Sequence, residues 1–146
     1  MPLTHRKLTD GLSVAPQITE DDIREAARLG YRTIVNNRPD GEEAGQLDSR
    51  RAEELAGEVG IEYVYLPVTM QSIPGSVPTF AEVLEDHPGP VLAHCRSGTR
   101  STILWAMAEA AHGKTPLDEI ASRAAGAGYD LGPYTGVLEV LRKGRS

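Results

Sequence analysis

Cysteine is almost missing from this chain: Cys95 is the only one in 146 residues. That excludes an internal disulfide, a CxxC redox pair and any multi-cysteine zinc site. It also means that no second thiol of the same chain can resolve a sulfur adduct formed on Cys95. The four histidines, His5, His87, His94 and His112, are scattered without HExxH spacing, so no metal and no cofactor is expected. An excess of basic residues is lacking too. Fifteen Lys and Arg against 21 Asp and Glu leave a net charge of −6, which argues against a general affinity for nucleic acid or anionic membranes. No apolar run approaches the ~20 residues of a membrane span, and the polar start Met1-Pro-Leu-Thr-His-Arg-Lys does not read as a secretory signal. The expectation is a cytoplasmic protein with neither nucleic acid nor membrane as partner. No internal repeat or interdomain linker is visible. The length fits one domain, residues 1–146, burying roughly two-thirds of its unfolded surface.

What is present alternates strand and helix signals. Leu8 to Val14 around Asp10-Gly11 reads as a short strand pair or a bent strand. Thr19 is a plausible N-cap before the acidic turn Glu20-Asp21-Asp22. Ile23, Ala26, Ala27 and Gly30 then share one helix face. Thr33 to Asn36 reads as a strand followed by the turn-rich Asn37 to Gly41. A helix is predicted from Asp48 or Ser49 through Val59, and a strand over Ile61 to Leu66. Residues 67–79 hold three prolines and read as a loop, with a short helix over Phe80 to Asp86. Val91 to His94 reads as a buried strand, and Ser101 as the start of an almost wholly apolar helix containing Trp105. Two further helices are predicted, one from Thr115-Pro116 and one from Pro133, with a basic, frayed tail from Arg142. This order implies a single-domain α/β fold with a mainly parallel central sheet flanked by helices. Ligands then belong at the carboxyl ends of the strands, which here are the loops 37–43, 67–75 and 95–100.

The third loop carries the chemistry. Strand, tight polar loop and helix N-terminus together form an anion cradle, and a cysteine held there between Arg96 and Arg100 is expected as a thiolate near neutral pH. Cys95 is therefore the candidate nucleophile and Arg100 the bidentate oxyanion clamp. Gly98 permits a positive φ. The backbone N–H groups of Arg96, Ser97, Gly98, Thr99 and Arg100 would stabilise charge on the bound group. Ser101 is expected to hydrogen-bond the sulfur, and His94 to brace the loop through backbone contacts. A free cysteine is more often a small core hydrophobe, but this one is surrounded by polar and charged residues. Arg96 reads equally as rim charge or substrate contact. Asp40 and Arg38 read equally as turn and surface ion pair or as pocket rim.

His94-Cys95 with Gly98, Arg100 and Ser101 resembles the active-site loop of cysteine-dependent phosphatases and rhodaneses. Over residues 5–112, through Thr33 to Glu42 and His94 to Ser101, the chain resembles the bacterial beta-lactamase-hydrolase-like family. The resemblance implies a dual-specificity-phosphatase scaffold and either phosphatase or sulfurtransferase activity. Two departures from the phosphatase pattern rank these. Only four residues separate Cys95 from Arg100, the rhodanese spacing, where phosphatases have five. The segment Leu66-Pro67-Val68-Thr69-Met70-Gln71-Ser72 lacks the aspartate that would protonate a leaving alkoxide. The expectation is thus a sulfurtransferase that moves sulfur from thiosulfate or a small persulfide, through a Cys95 persulfide, to an external thiol. The alternatives are a phosphatase working through a phosphocysteine, and an anion-binding module without turnover.

Overall fold

The computed structural model describes residues 3–144. Asp10-Gly11 turns the chain between β1 (Arg6–Thr9) and β2 (Leu12–Ala15), with Gly11 N–H donating to Thr9 Oγ1 at 3.1 Å. The predicted strand pair is thus a hairpin. Thr19 caps α1 (Glu20–Arg28) in a full capping box with Asp22. β3 (Thr33–Asn36) is followed by a long loop and α2 (Ser49–Glu58), whose N-cap is Asp48, and then by β4 (Glu62–Tyr65). α3 spans Ile73–Asp86, β5 spans Val91–His94 and α4 spans Thr99–His112. α5 (Leu117–Gly126), a 3-10 turn (Gly132–Tyr134) and α6 (Thr135–Gly144) complete the fold.

The sheet runs β1-β2-β5-β3-β4, with β2, β5, β3 and β4 parallel and only the edge strand β1 antiparallel. Side chains alternate across it. Val14, Val35, Val91 and Ala93 join the core under α3, α4, α5 and α6, whereas Ala15, Ile34 and Leu92 pack with α1 and α2. Each face of the sheet therefore buries its own apolar layer. α4 is apolar nearly all round because it is enclosed on nearly every side, with nine of its residues buried. No helix among the described residues is long and apolar enough to cross a membrane.

Four predicted boundaries change. Residues 73–79 are helical rather than loop, because Ile73, Val77 and Phe80 lie on one face and are all buried. Pro74 sits in the first turn, where its missing N–H has no partner to lose. Pro78 is the true exception, and burial of its neighbours outweighs the lost backbone bond. α4 begins two residues earlier than predicted, at Thr99, and Pro116 rather than Thr115 is the N-cap position of α5. Arg142 is not part of a frayed tail. It lies in α6, and its guanidinium donates to the carbonyls of Ala110 (3.0 Å), Glu109 (3.3 Å) and Thr115 (2.7 Å), closing the exposed end of α4.

Candidate active site

The four parallel strands end in one row, Ala15 beside His94, His94 beside Asn36 and Asn36 beside Tyr65. The residues after those ends are tied sideways. Gln17 N–H donates to Arg96 O at 3.0 Å, Asn37 N–H to His94 O at 2.8 Å and Val68 N–H to Asn37 O at 3.0 Å. The loop 95–98 is therefore held from both flanks at the carboxyl edge of the sheet, the location expected for a ligand site in this class of fold.

Cys95 is fully buried, while Arg96, Ser97 and Thr99 are exposed around it. Gly98 N–H donates to Cys95 Sγ at 3.1 Å. Gly98 has φ +94° as the N-cap of α4, so the chain can reverse under the sulfur only with a residue that tolerates the left-handed region. Space demands glycine as well: a β-carbon there would run into Tyr129 Oη. That hydroxyl donates to Ser97 O at 2.9 Å, propping the loop from the segment after α5. Ser97 Oγ donates to Thr99 Oγ1 at 2.9 Å and accepts Thr99 N–H at 3.3 Å. The N–H groups of Arg96, Ser97 and Arg100 are given to no acceptor among the described residues.

Arg100 is held by its far edge. Nη1 and Nη2 donate to the two oxygens of Glu42 at 2.9 and 2.8 Å, and Nη1 also donates to Val68 O at 2.8 Å. This leaves the Nε edge without a Glu42 or Val68 partner, and the guanidinium also interacts with the Cys95 sulfur. The bond to Glu42, and after it the charge of the Cys95 sulfur, push Arg100 further above the ordinary arginine range, against the burial that pulls it down. Glu42 also accepts from Arg38 Nε at 2.9 Å. Hydrogen bonding to Arg100 first, and to Arg38 as well, lowers its carboxyl to about 2, so it is ionised throughout the physiological range. Arg38 is not a surface ion pair: its side chain is 3% exposed, with Nη1 on Gln17 Oε1 at 3.2 Å and Nη2 no closer than 3.7 Å to Glu43.

His94 is fully buried with Nδ1 unpartnered. Burial chiefly, with the Arg38 charge, lowers it to about 4 against a hydrogen bond at the Cys95 backbone, so the ring is neutral, and its backbone carbonyl accepts Asn37 N–H at 2.8 Å. One expectation needs correction. Ser101 Oγ donates to Asn37 Oδ1 at 2.8 Å rather than to the sulfur, because the first turn of α4 aims it at the β3 loop. Of the two readings of Asp40, the structure shows the turn: its carboxylate accepts from Ser49 N–H (2.9 Å) and Ser49 Oγ–H (2.6 Å), closing the turn into α2. The residues not foreseen are Glu42 as the holder of Arg100, and Tyr129 and Gln17 as supports. Glu42 lay inside the motif 33–42 that carried the resemblance; Tyr129 gave no local signal.

A cysteine at a helix start, an arginine clamped beside it and three loop N–H groups without an acceptor among the described residues stand together at the strand-end edge. Residues 4–112 match the model of the beta-lactamase hydrolase-like protein, phosphatase-like domain. The chain belongs to that family. It is 35% identical over 133 residues to the beta-lactamase hydrolase-like protein of Xylella fastidiosa strain 9a5c, a match that covers 90% of this chain and 31% of the relative. The chain thus spans about a third of the length of the curated relatives it matches. Among solved structures it is similar to a Neisseria meningitidis Z2491 protein put forward as a phosphatase, with 38% identity, a TM-score of 0.83, and 94% and 97% of the two chains covered. The kinase associated phosphatase, solved with its catalytic cysteine replaced by serine, is 16% identical with a TM-score of 0.68 over 98% and 96% of the chains, and shows the shared fold alone. The dual-specificity-phosphatase scaffold is therefore established, and the matched family speaks for an enzyme of the phosphatase kind. These relatives lend the sulfurtransferase expectation no support.

Proposed function

We propose that this chain is a cysteine-dependent phosphatase that hydrolyses phosphate monoesters through a phosphocysteine on Cys95. The observation that carries the reading is the set of donors around one sulfur, on a cysteine-phosphatase scaffold: the N–H groups of Arg96, Ser97 and Arg100, which have no acceptor among the described residues, and the Arg100 guanidinium, which interacts with the sulfur. A phosphoryl group in transfer spreads its charge over three equatorial oxygens. The loop is one residue shorter than the common phosphatase loop, yet it still has enough donors for those oxygens. This weakens the spacing argument for a sulfurtransferase.

In the first step the Cys95 thiolate attacks phosphorus; the S–P bond forms and the ester P–O bond breaks, its electron pair leaving with the alcohol oxygen. In the second step water attacks phosphorus, the S–P bond breaks, and inorganic phosphate and the thiolate are released. Arg100 and the loop N–H groups hold the transferring oxygens in both steps. No carboxyl group stands on residues 66–72, and Glu42 is kept ionised by two guanidinium groups. A leaving group must therefore depart as a stable anion. Esters of phenols should outrun alkyl esters by roughly the 10²–10⁴ that a proton donor otherwise supplies.

The test is phosphate release from an aryl and an alkyl monoester by the wild type and by Cys95→Ser, beside mass measurement of the protein after thiosulfate treatment. The expected result is aryl ester turnover that disappears in Cys95→Ser. No release from any aryl ester, together with a stable gain of one sulfur on Cys95, would overturn the reading in favour of sulfur transfer.

A further inference from the structure

Arg100 and Glu42 alone make a poor seat for an anion. Two guanidinium nitrogens of Arg100 donate to the two carboxylate oxygens at 2.9 and 2.8 Å, and such a pair carries no net charge. A third group changes the sum. Arg38 Nε donates to Glu42 Oε1 at 2.9 Å, so two guanidinium groups share one carboxylate and one positive charge is left over. Glu43 stands 3.7 Å from Arg38 Nη2, but its side chain is 55% exposed and water screens its charge.

Burying Arg38 is costly for the fold. Its side chain is 3% exposed, and Nη2 is buried without a hydrogen-bond acceptor. Holding Glu42 in place would not require a charge there, because a neutral donor would serve. The other bonds of Arg38 lead to the loop around the nucleophile. Nη1 donates to Gln17 Oε1 at 3.2 Å, Gln17 Nε2 is fixed on Ile18 O at 2.9 Å, and the Gln17 backbone N–H donates to Arg96 O at 3.0 Å. One buried cation is therefore linked to Arg96 through Gln17 and to Arg100 through Glu42. Its charge also reaches His94, the residue before Cys95.

We infer that Arg38 is a positioning residue of the oxyanion site: it acts through Glu42, offsetting the carboxylate that orients Arg100, so that the loop receives an anion with one net positive charge. This rests on the phosphatase reading for the identity of the anion, a phosphoryl group, and not for the presence of the charge. The charge of the bound ion reads the role out. A field acts on a dianion twice as strongly as on a monoanion, whereas a misplaced Arg100 weakens both alike.

Sulfate and nitrate would be titrated as protectants of Cys95 against iodoacetamide, an uncharged alkylating agent, at fixed ionic strength. The proteins are the wild type, Arg38→Gln, Arg38→Lys and Glu42→Gln, each checked for folding by urea unfolding. Half-protection of Arg38→Gln should need roughly tenfold more sulfate than the wild type but only about threefold more nitrate. Arg38→Lys keeps the charge and should keep the wild-type ratio of the two anions. Glu42→Gln removes the negative charge, so its ratio should move the opposite way, in favour of sulfate. That variant decides the matter if Arg38→Gln does not fold. An unchanged ratio in folded Arg38→Gln or in Glu42→Gln, an Arg38→Lys that behaves like Arg38→Gln, or no protection of the wild type by either anion overturns the role of Arg38. Aryl phosphate turnover by the same wild-type sample decides the phosphatase reading separately: no turnover beside the expected ratios sinks that reading and leaves the charge on the loop standing.

Discussion

Replacing Glu42 by glutamine removes one charge that two arginines share. Arg38 suffers most, because its side chain is 3% exposed and its next carboxylate, Glu43, stands 3.7 Å from Nη2. Breaking a buried pair by deleting one partner costs about 3–5 kcal/mol. The Glu42 side chain is itself 28% exposed, so water screens part of that loss and about 2 kcal/mol is expected. Linkage gives a comparable ceiling. A carboxyl lowered from 4.5 to about 2 contributes at most about 3 kcal/mol before the same discount. For a chain of this length 2 kcal/mol lowers Tm by about 6 °C. The sign with pH is fixed as well. The folded carboxyl is depressed, so its contribution is complete above about pH 4.5 and is lost as pH falls toward about 2. Thermal unfolding of the wild type and Glu42→Gln between pH 2 and 7 checks both statements, and their difference should shrink across that acid window. Activity adds a second readout, because Arg100 freed from Glu42 should raise KM for an aryl phosphate. A Tm within 1 °C of wild type at pH 7 would refute the reasoning, since Arg38 would then not depend on Glu42.

Three other outcomes are expected. His94 is depressed from 6.5 to about 4, so its neutral burial stabilises fully above pH 6.5; about 2 kcal/mol of that should be gone by pH 5, and His94→Gln should flatten this part of the stability curve measured in urea. Gly98→Ala meets both the +94° backbone and Tyr129 Oη, so aryl phosphate turnover should collapse; Tyr129→Phe, which loses only the bond to Ser97 O, should cost about 1 kcal/mol and retain partial activity. Ser101→Ala leaves the buried Asn37 Oδ1 without its donor and should cost about 1–3 kcal/mol in urea unfolding. Alkylation of Cys95 at fixed pH should proceed in that variant at the wild-type rate, and a marked change would return Ser101 to the sulfur.

The parts of the fold that were legible were those written in local patterns. Thr19 with its acidic turn, the apolar faces of α1 and α2, and the uninterrupted Val91 to His94 strand all behave as their spacing requires. Segment 73–79 was misread because Pro74 and Pro78 outweighed the Ile73, Val77, Phe80 face, which only a packed partner makes decisive. In the site, Cys95, Gly98 and Arg100 were readable because one short loop contains them. The partners of that loop are remote in sequence: Glu42 is 58 residues from Arg100, Asn37 is 64 from Ser101, and Tyr129 is 32 from Ser97. Ser101 was assigned to the nearest sulfur when a more distant amide oxygen was the better-placed acceptor. Loop length was legible, but a count of residues does not say which N–H groups stay free. An insertion that tests loop length belongs between Arg96 and Ser97, because Thr99 and Arg100 already lie in α4 and a residue added between them would rotate the helix.

The prop under Ser97 has a consequence for cutting this domain out of a longer protein. The family's matched span closes at residue 112, and a fragment ending there would keep the cysteine, both arginines and Glu42. It would lack Tyr129, and it would strip Ile120, Ala124, Leu131 and Leu138 from the layer that encloses α4. Such a fragment would hold every reactive group and nothing to brace the far side of the loop that presents them. In the relatives, about three times as long, the practical boundary of a working excised unit is therefore expected beyond the equivalent of α6, some thirty residues past the end of the matched span.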